Sequence, residues 1–184
     1  DIFSKKINIS KFDLIYAGAQ KNLGPAGATL VIVKDEILGH TGREIPTMLD
    51  YKTHIAKDSM FNTPPVFAIY VSMLTMRWLK ENGGVSWIEK INQQKADLLY
   101  QTIDNSSIFE GSANVEDRST MNATFLLTNT ELEEEFNKMC ANGGINGLKG
   151  HRSVGGYRAS MYNAMPLDSV QTLVEIMNEL ERKG

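Results

Sequence analysis

The sequence holds one cysteine, Cys140, in 184 residues, so no internal disulfide can form. Cys140 sits beside Met139 in a helical pattern, where a free thiol serves as a small hydrophobe. Three histidines, His40, His54 and His151, lie without ligand spacing, which argues against a structural zinc site. No apolar run is long enough to span a bilayer, which argues against membrane partners. Charge of one sign is also lacking. Nineteen Lys and Arg face 22 Asp and Glu, for a net charge of -3. That balance excludes a broad nucleic-acid or acidic-membrane footprint, and any anion recognition must rest on a few local basic residues. There is no signal-peptide pattern, so Asn8-Ile-Ser, Asn105-Ser-Ser and Asn122-Ala-Thr read as chance matches to the glycosylation acceptor. A cytoplasmic, reducing compartment is the expectation. The chain opens at Asp1 without a methionine, and strand-like residues follow almost at once, which predicts a fragment or a processed product.

What is present is a globular composition, 42% hydrophobic and 22% charged. Residues 14–17 read as a short buried strand and residues 28–33 as a second, apolar and β-branched one. Residues 39–62 lack a period, a long connection of the kind that is functional or mobile. Thr63-Pro64-Pro65 predicts a helix start with Thr63 as its cap. Apolar residues from Val66 to Leu79 cover most of that helix, which predicts burial between layers or subunits. Gly83-Gly84 ends it. Ser86 to Glu89 reads as a capping box for a helix reaching about Asp104. A strand at 121–127 follows, then a second capping box at Thr130 to Glu133 and a helix ending near Gly143-Gly144. One or two strands are expected in 145–162, and a last helix starts at Pro166. The order gives an α/β fold whose second half is a compact unit. The first half offers two strands, too few for a stable sheet.

The stretch Ala17-Gly-Ala-Gln-Lys-Asn-Leu-Gly-Pro-Ala-Gly27 carries the chemistry. A lysine between two buried strands is unusual, because an unpaired ammonium is costly to bury. Small residues on both sides let another body approach the backbone. Partial desolvation would lower the lysine pKa and favour the neutral, nucleophilic amine needed for a Schiff base. On pattern alone, a solvent-exposed lysine in a Gly-rich turn is the favoured reading, because most lysines are surface residues. The spacing of a Walker A loop is absent.

Tyr16 to Gly27 closely resembles the cofactor-lysine motif of the phosphoserine aminotransferases, fold-type I enzymes that use pyridoxal phosphate (PLP). The resemblance continues through Asp58-Ser-Met-Phe-Asn-Thr-Pro-Pro65, Lys149-Gly-His-Arg152 and Gly155-Gly-Tyr-Arg-Ala-Ser-Met-Tyr-Asn-Ala-Met-Pro166, in one order along essentially the whole chain. It implies the C-terminal portion of such an enzyme. Residues 1–82 would be the end of the large PLP-binding domain with its lysine loop and connecting helix, and residues 83–184 the C-terminal small α/β domain. Lys21 would hold PLP as a Schiff base, with Gln20 beside it. Asn62 and Thr63 would hold the cofactor phosphate across the interface of a homodimer. Arg158 would grip the substrate α-carboxylate, for which a planar guanidinium is suited. His151 and Arg152 would contact the phosphate of phosphoserine or the distal carboxylate of glutamate. Without the family match, Thr63 reads as an N-cap, Asn62 as a turn former and Arg158 as half of a surface ion pair.

The implied reaction is amino transfer between glutamate and 3-phosphohydroxypyruvate, giving 2-oxoglutarate and phosphoserine for serine biosynthesis. Relatives also serve pyridoxine biosynthesis. Other parts of the family's site have no counterpart here: a carboxylate for the pyridine nitrogen, a stacked aromatic residue and a Gly-rich phosphate loop. The chain alone is therefore expected to be inactive. The alternatives are a catalytically silent folding or dimerisation fragment, or another class V PLP enzyme. A cysteine desulfurase fits poorly, because Cys140 falls within a helix.

Overall fold

The structure is a computed structural model that describes residues 1–151 and 153–183. The chain divides into two compact units, Asp1–Asn82 and Gly83–Gly184.

The first unit is built around a two-stranded antiparallel sheet. Strand β1 (Leu14–Gly18) pairs with β2 (Thr29–Val33) from Leu14 opposite Val33 to Gly18 opposite Thr29. The strands are not buried as their apolar content suggests; Tyr16 is 73% exposed. A two-stranded ribbon has no further strand on either edge, and within this unit its faces stay half covered. The stretch without a sequence period is ordered by short elements. Helix α1 (Tyr51–Ile55) is capped by Asp50, whose carboxylate accepts from the Lys52 N–H at 2.9 Å. His54 Nε2 meets the Met48 carbonyl at 2.9 Å and stands edge-on to Phe61. Asp58 and Ser59 then take left-handed conformations, with φ of 49° and 64°.

Helix α2 (Val66–Glu81) starts later than Thr63 predicts. Pro65 occupies the cap position, and no side chain caps the helix. A residue before proline is pushed out of the helical region, so Thr63 and Pro64 are both excluded from the first turn. Nor is α2 buried on most sides. Ala68, Ser72 and Leu79 face inward, whereas Val66 and Phe67 are 67% and 73% exposed.

In the second unit, β3 (Phe109–Gly111), β4 (Asn122–Leu127) and β5 (Tyr157–Ser160) form an antiparallel sheet in that order. Ala123, Phe125 and Leu127 alternate inward along β4. Helices α3 (Val85–Asn105), α4 (Glu133–Asn142) and α5 (Leu167–Lys183) pack on that face. Phe109, Phe125, Phe136 and Tyr157 form its centre, with Phe125 and Tyr157 stacked at 5.4 Å and Phe136 edge-on to Tyr157 at 5.0 Å. Leu99, Ile103, Leu173, Met177 and Leu180 close the core from α3 and α5. Cys140 on α4 is buried there, and burial pushes its thiol up to about 11.

Neither expected capping box forms. Gly84, at φ 71°, stands at the cap of α3, which places Ser86 inside the first turn. Ahead of α4, the Asn129 side chain accepts from the Glu131 N–H at 3.0 Å, and Thr130–Leu132 form a 3-10 turn before the helix proper. Among the described residues, no helix is long and apolar enough to cross a membrane, and no cluster of His, Cys, Asp and Glu could hold a metal ion.

Candidate active site

The lysine loop joins β1 to β2. Its base is closed by the Ala19 N–H donating to the Ala28 carbonyl at 2.9 Å. The Ala19 carbonyl then accepts from the N–H groups of Leu23 and Gly24, at 3.1 and 2.8 Å, which makes a tight turn with Lys21 at its middle. Ala19, Asn22 and Leu23 are buried, and the Asn22 amide donates to the Ile2 carbonyl at 3.0 Å. Gly24 lies against α2, where an added Cβ would come within 3.0 Å of Ser72 Oγ. With these residues turned inward, Gln20 and Lys21 are left on the outer side, both exposed. The expectation of a desolvated lysine is not met in this chain, because the two flanking strands are themselves only half covered.

Gln20 and Lys21 line a cavity of about 450 Å³ with Asp1, Lys5, Tyr16 and Gly18. That volume is in the range of cofactor and small-molecule sites. Asn62 and Thr63 do not line it; they are exposed ahead of α2, and the Asn62 amide donates to the Thr63 carbonyl at 3.3 Å.

In the second unit, the expected basic residues sit on β5 and the loop leading to it. The Gly150 N–H donates to the Gly156 carbonyl at 2.8 Å, and the Arg158 N–H to the Leu148 carbonyl at 2.7 Å. Gly150 is required there, because a Cβ would run into the Gly155 carbonyl oxygen. His151 is exposed on this loop, with Nδ1 2.7 Å from Ser153 Oγ. Arg152 lies outside the described residues. Arg158 is exposed on β5 opposite Thr124, and its guanidinium has no carboxylate partner among the described residues. It lines a second cavity, about 400 Å³, with the 143–148 loop, Met161 and the start of α5.

A turn of small residues thus presents Lys21, and Arg158 stands without a carboxylate partner among the described residues. The family model for class-V aminotransferases matches residues 1–173. The chain belongs to the class-V aminotransferases. A phosphoserine aminotransferase of Flavobacterium psychrophilum is 68% identical over 183 residues, which is 100% of this chain and 51% of that protein. Among solved structures, the phosphoserine aminotransferase from Bacillus circulans subsp. alkalophilus is 46% identical with a TM-score of 0.94, over 100% of this chain and 51% of that one. The PLP-bound phosphoserine aminotransferase from Trichomonas vaginalis is 36% identical with a TM-score of 0.88, over 95% of this chain and 50% of that one. The chain thus spans about half the length of the relatives it matches.

One buried charge in this class-V aminotransferase chain has no signal in the sequence. Lys95, on α3, is fully buried, and its Nζ donates to the carbonyls of Met161, Tyr162 and Met165, each at 3.0 Å. Its neighbours in Gln94-Lys-Ala-Asp97 are those of a solvent-facing helix turn, and its partners lie 66 to 70 residues away.

Proposed function

We propose that this chain is the part of a PLP-dependent phosphoserine aminotransferase that carries the cofactor lysine and the carboxylate-binding arginine. The observation that carries the reading is the lysine loop. A turn pinned by buried Ala19, Asn22 and Leu23 leaves Lys21 and Gln20 facing a cavity large enough for a small aromatic cofactor. Residues 1–82 belong to the cofactor-binding domain and residues 83–184 make the small α/β domain.

When bound, PLP supplies an electron sink for the charge left at the amino-acid carbon as its proton leaves. Lys21 Nζ would hold the cofactor and, as a free amine, would carry that proton. Gln20, which lines the same cavity, would lie beside the cofactor. Asn62 and Thr63 serve the cofactor phosphate of the partner in a homodimer. Arg158, free of any carboxylate partner among the described residues, binds the substrate α-carboxylate through its two-pronged donor face. His151 and Arg152 take the substrate phosphate or the distal carboxylate of glutamate. The substrates are the glutamate/2-oxoglutarate and phosphoserine/3-phosphohydroxypyruvate pairs, in the cytoplasm. A phosphorylated hydroxythreonine, with the same amine, carboxylate and phosphate, suits the same residues and would serve pyridoxine biosynthesis.

The test is covalent trapping. The chain is incubated with PLP, reduced with borohydride and digested. The expected result is a pyridoxyl mass increase on the Lys21 peptide, lost in Lys21→Ala. Label on other lysines at equal yield, or label surviving the substitution, would remove Lys21 from its role.

A further inference from the structure

An ammonium buried without a counter-ion is costly unless its donors are satisfied. Lys95 meets that demand in an unusual way. It has no ion-pair partner among the described residues, and its three N–H groups match the three carbonyls at 3.0 Å one for one. All three carbonyls belong to one turn, between β5 and α5, which is also closed by the Met165 N–H donating to the Tyr162 carbonyl at 2.8 Å. One helical turn earlier on the same face of α3, the buried Asn92 amide donates to Asn163 Oδ1 in that turn at 2.9 Å. Helix α3 therefore grips the 161–165 turn through two side chains and four hydrogen bonds.

The turn is continuous with the strand that carries Arg158. Met161 extends the ladder beyond β5 by donating to the Met121 carbonyl at 2.8 Å. Met161 and Met165 stand in the wall of the 400 Å³ cavity that Arg158 also lines. A displacement of the turn would move the end of β5, the start of α5 and that wall together.

We propose that Lys95 is a positioning residue for the amino-transfer site: it fixes the 161–165 turn, and through it the strand from which Arg158 reaches the substrate carboxylate. The proposal rests on the reading of Arg158 given above. Lys95 itself touches no reacting group.

The experiment uses the Flavobacterium psychrophilum enzyme with its matching half replaced by this chain. KM for glutamate, kcat and Tm are measured for Lys95→Met, Arg158→Ala and Leu99→Ala. Lys95→Met keeps the side-chain length and removes the ammonium donor from all three carbonyls. Leu99→Ala loosens the same helix one turn on and leaves the hydrogen bonds from Asn92 and Lys95 to the turn in place. A misplacement on the ångström scale costs about ten- to hundredfold in efficiency, so Lys95→Met should raise KM for glutamate about tenfold with a smaller change in kcat. Arg158→Ala should do the same to a greater extent, and Leu99→Ala should lower Tm without moving KM. A raised KM in Arg158→Ala with an unchanged KM in Lys95→Met would overturn the proposal alone. Equal KM increases in Lys95→Met and Leu99→Ala would also overturn it, by tracing the effect to lost stability. An unchanged KM in Arg158→Ala would sink the carboxylate reading and the proposal with it. If Lys95→Met does not fold, Lys95→Gln, which retains two donors, is held to the same criteria.

Discussion

Burial lowers the Lys95 pKa from 10.5 to about 8. The unfolded chain keeps this proton up to the ordinary lysine range. Between pH 8 and 10.5 the unfolded state therefore binds more protons than the folded one, and the stability contribution of this group rises with pH. The full effect between those two values is on the order of 3 kcal/mol. Urea unfolding of the chain and of Lys95→Met, at steps from pH 7 to 10, should show the difference between them widening in favour of the native residue. A difference that stays flat would mean the three carbonyls hold the ammonium charged throughout. The contrast between Lys21 and Lys95 shows what single residues disclose. Lys21 was singled out by the resemblance of its whole stretch, because small residues around a lysine also describe an exposed turn. Lys95 was not, because hydrogen bonds to the 161–165 turn leave no local trace. Arg158 was singled out by the resemblance, and its lack of a carboxylate partner among the described residues is visible only in the fold.

Helix and strand positions followed from periodicity wherever burial is one-sided. The alternation of Ala123, Phe125 and Leu127 and the stripe along α5 both mark a single covered face. Helix starts were harder. Ser86 and Thr130 each stand three residues before a Glu, yet the caps are Gly84 and Asn129. In the first case a left-handed glycine ends the connection sooner. In the second a short amide side chain reaches the Glu131 N–H before the hydroxyl of Thr130 is needed. Asn129→Ala should therefore cost about 1 kcal/mol, while Ser86→Ala should stay within about 0.5 kcal/mol; chemical denaturation of the two variants checks the order. The three-residue β3 escaped sequence reading because so short a stretch carries no period. The exposure of α2 in this chain has a different cause. Its apolar circumference implies cover on several sides, and the first unit supplies cover on one.

The two units differ in what holds them. The first buries only Ala19, Leu23, Ala68 and Leu79 among its apolar residues, whereas the second encloses an aromatic cluster and the inner faces of three helices. Opening free energy follows local burial. Amide hydrogen exchange of the chain should show slow exchange concentrated in residues 83–184 and faster exchange through β1, β2 and the lysine loop. Uniform protection across both units would contradict this. Whatever activity the chain supports, the part that presents Lys21 depends on further cover more than the part that presents Arg158. Cys140 gives this difference a convenient handle. It is the one thiol in the sequence, lies within the second unit's core and is held in its unreactive protonated form by burial. Its rate of alkylation thus counts the excursions in which that core comes apart, with no engineered label and no background from a second site.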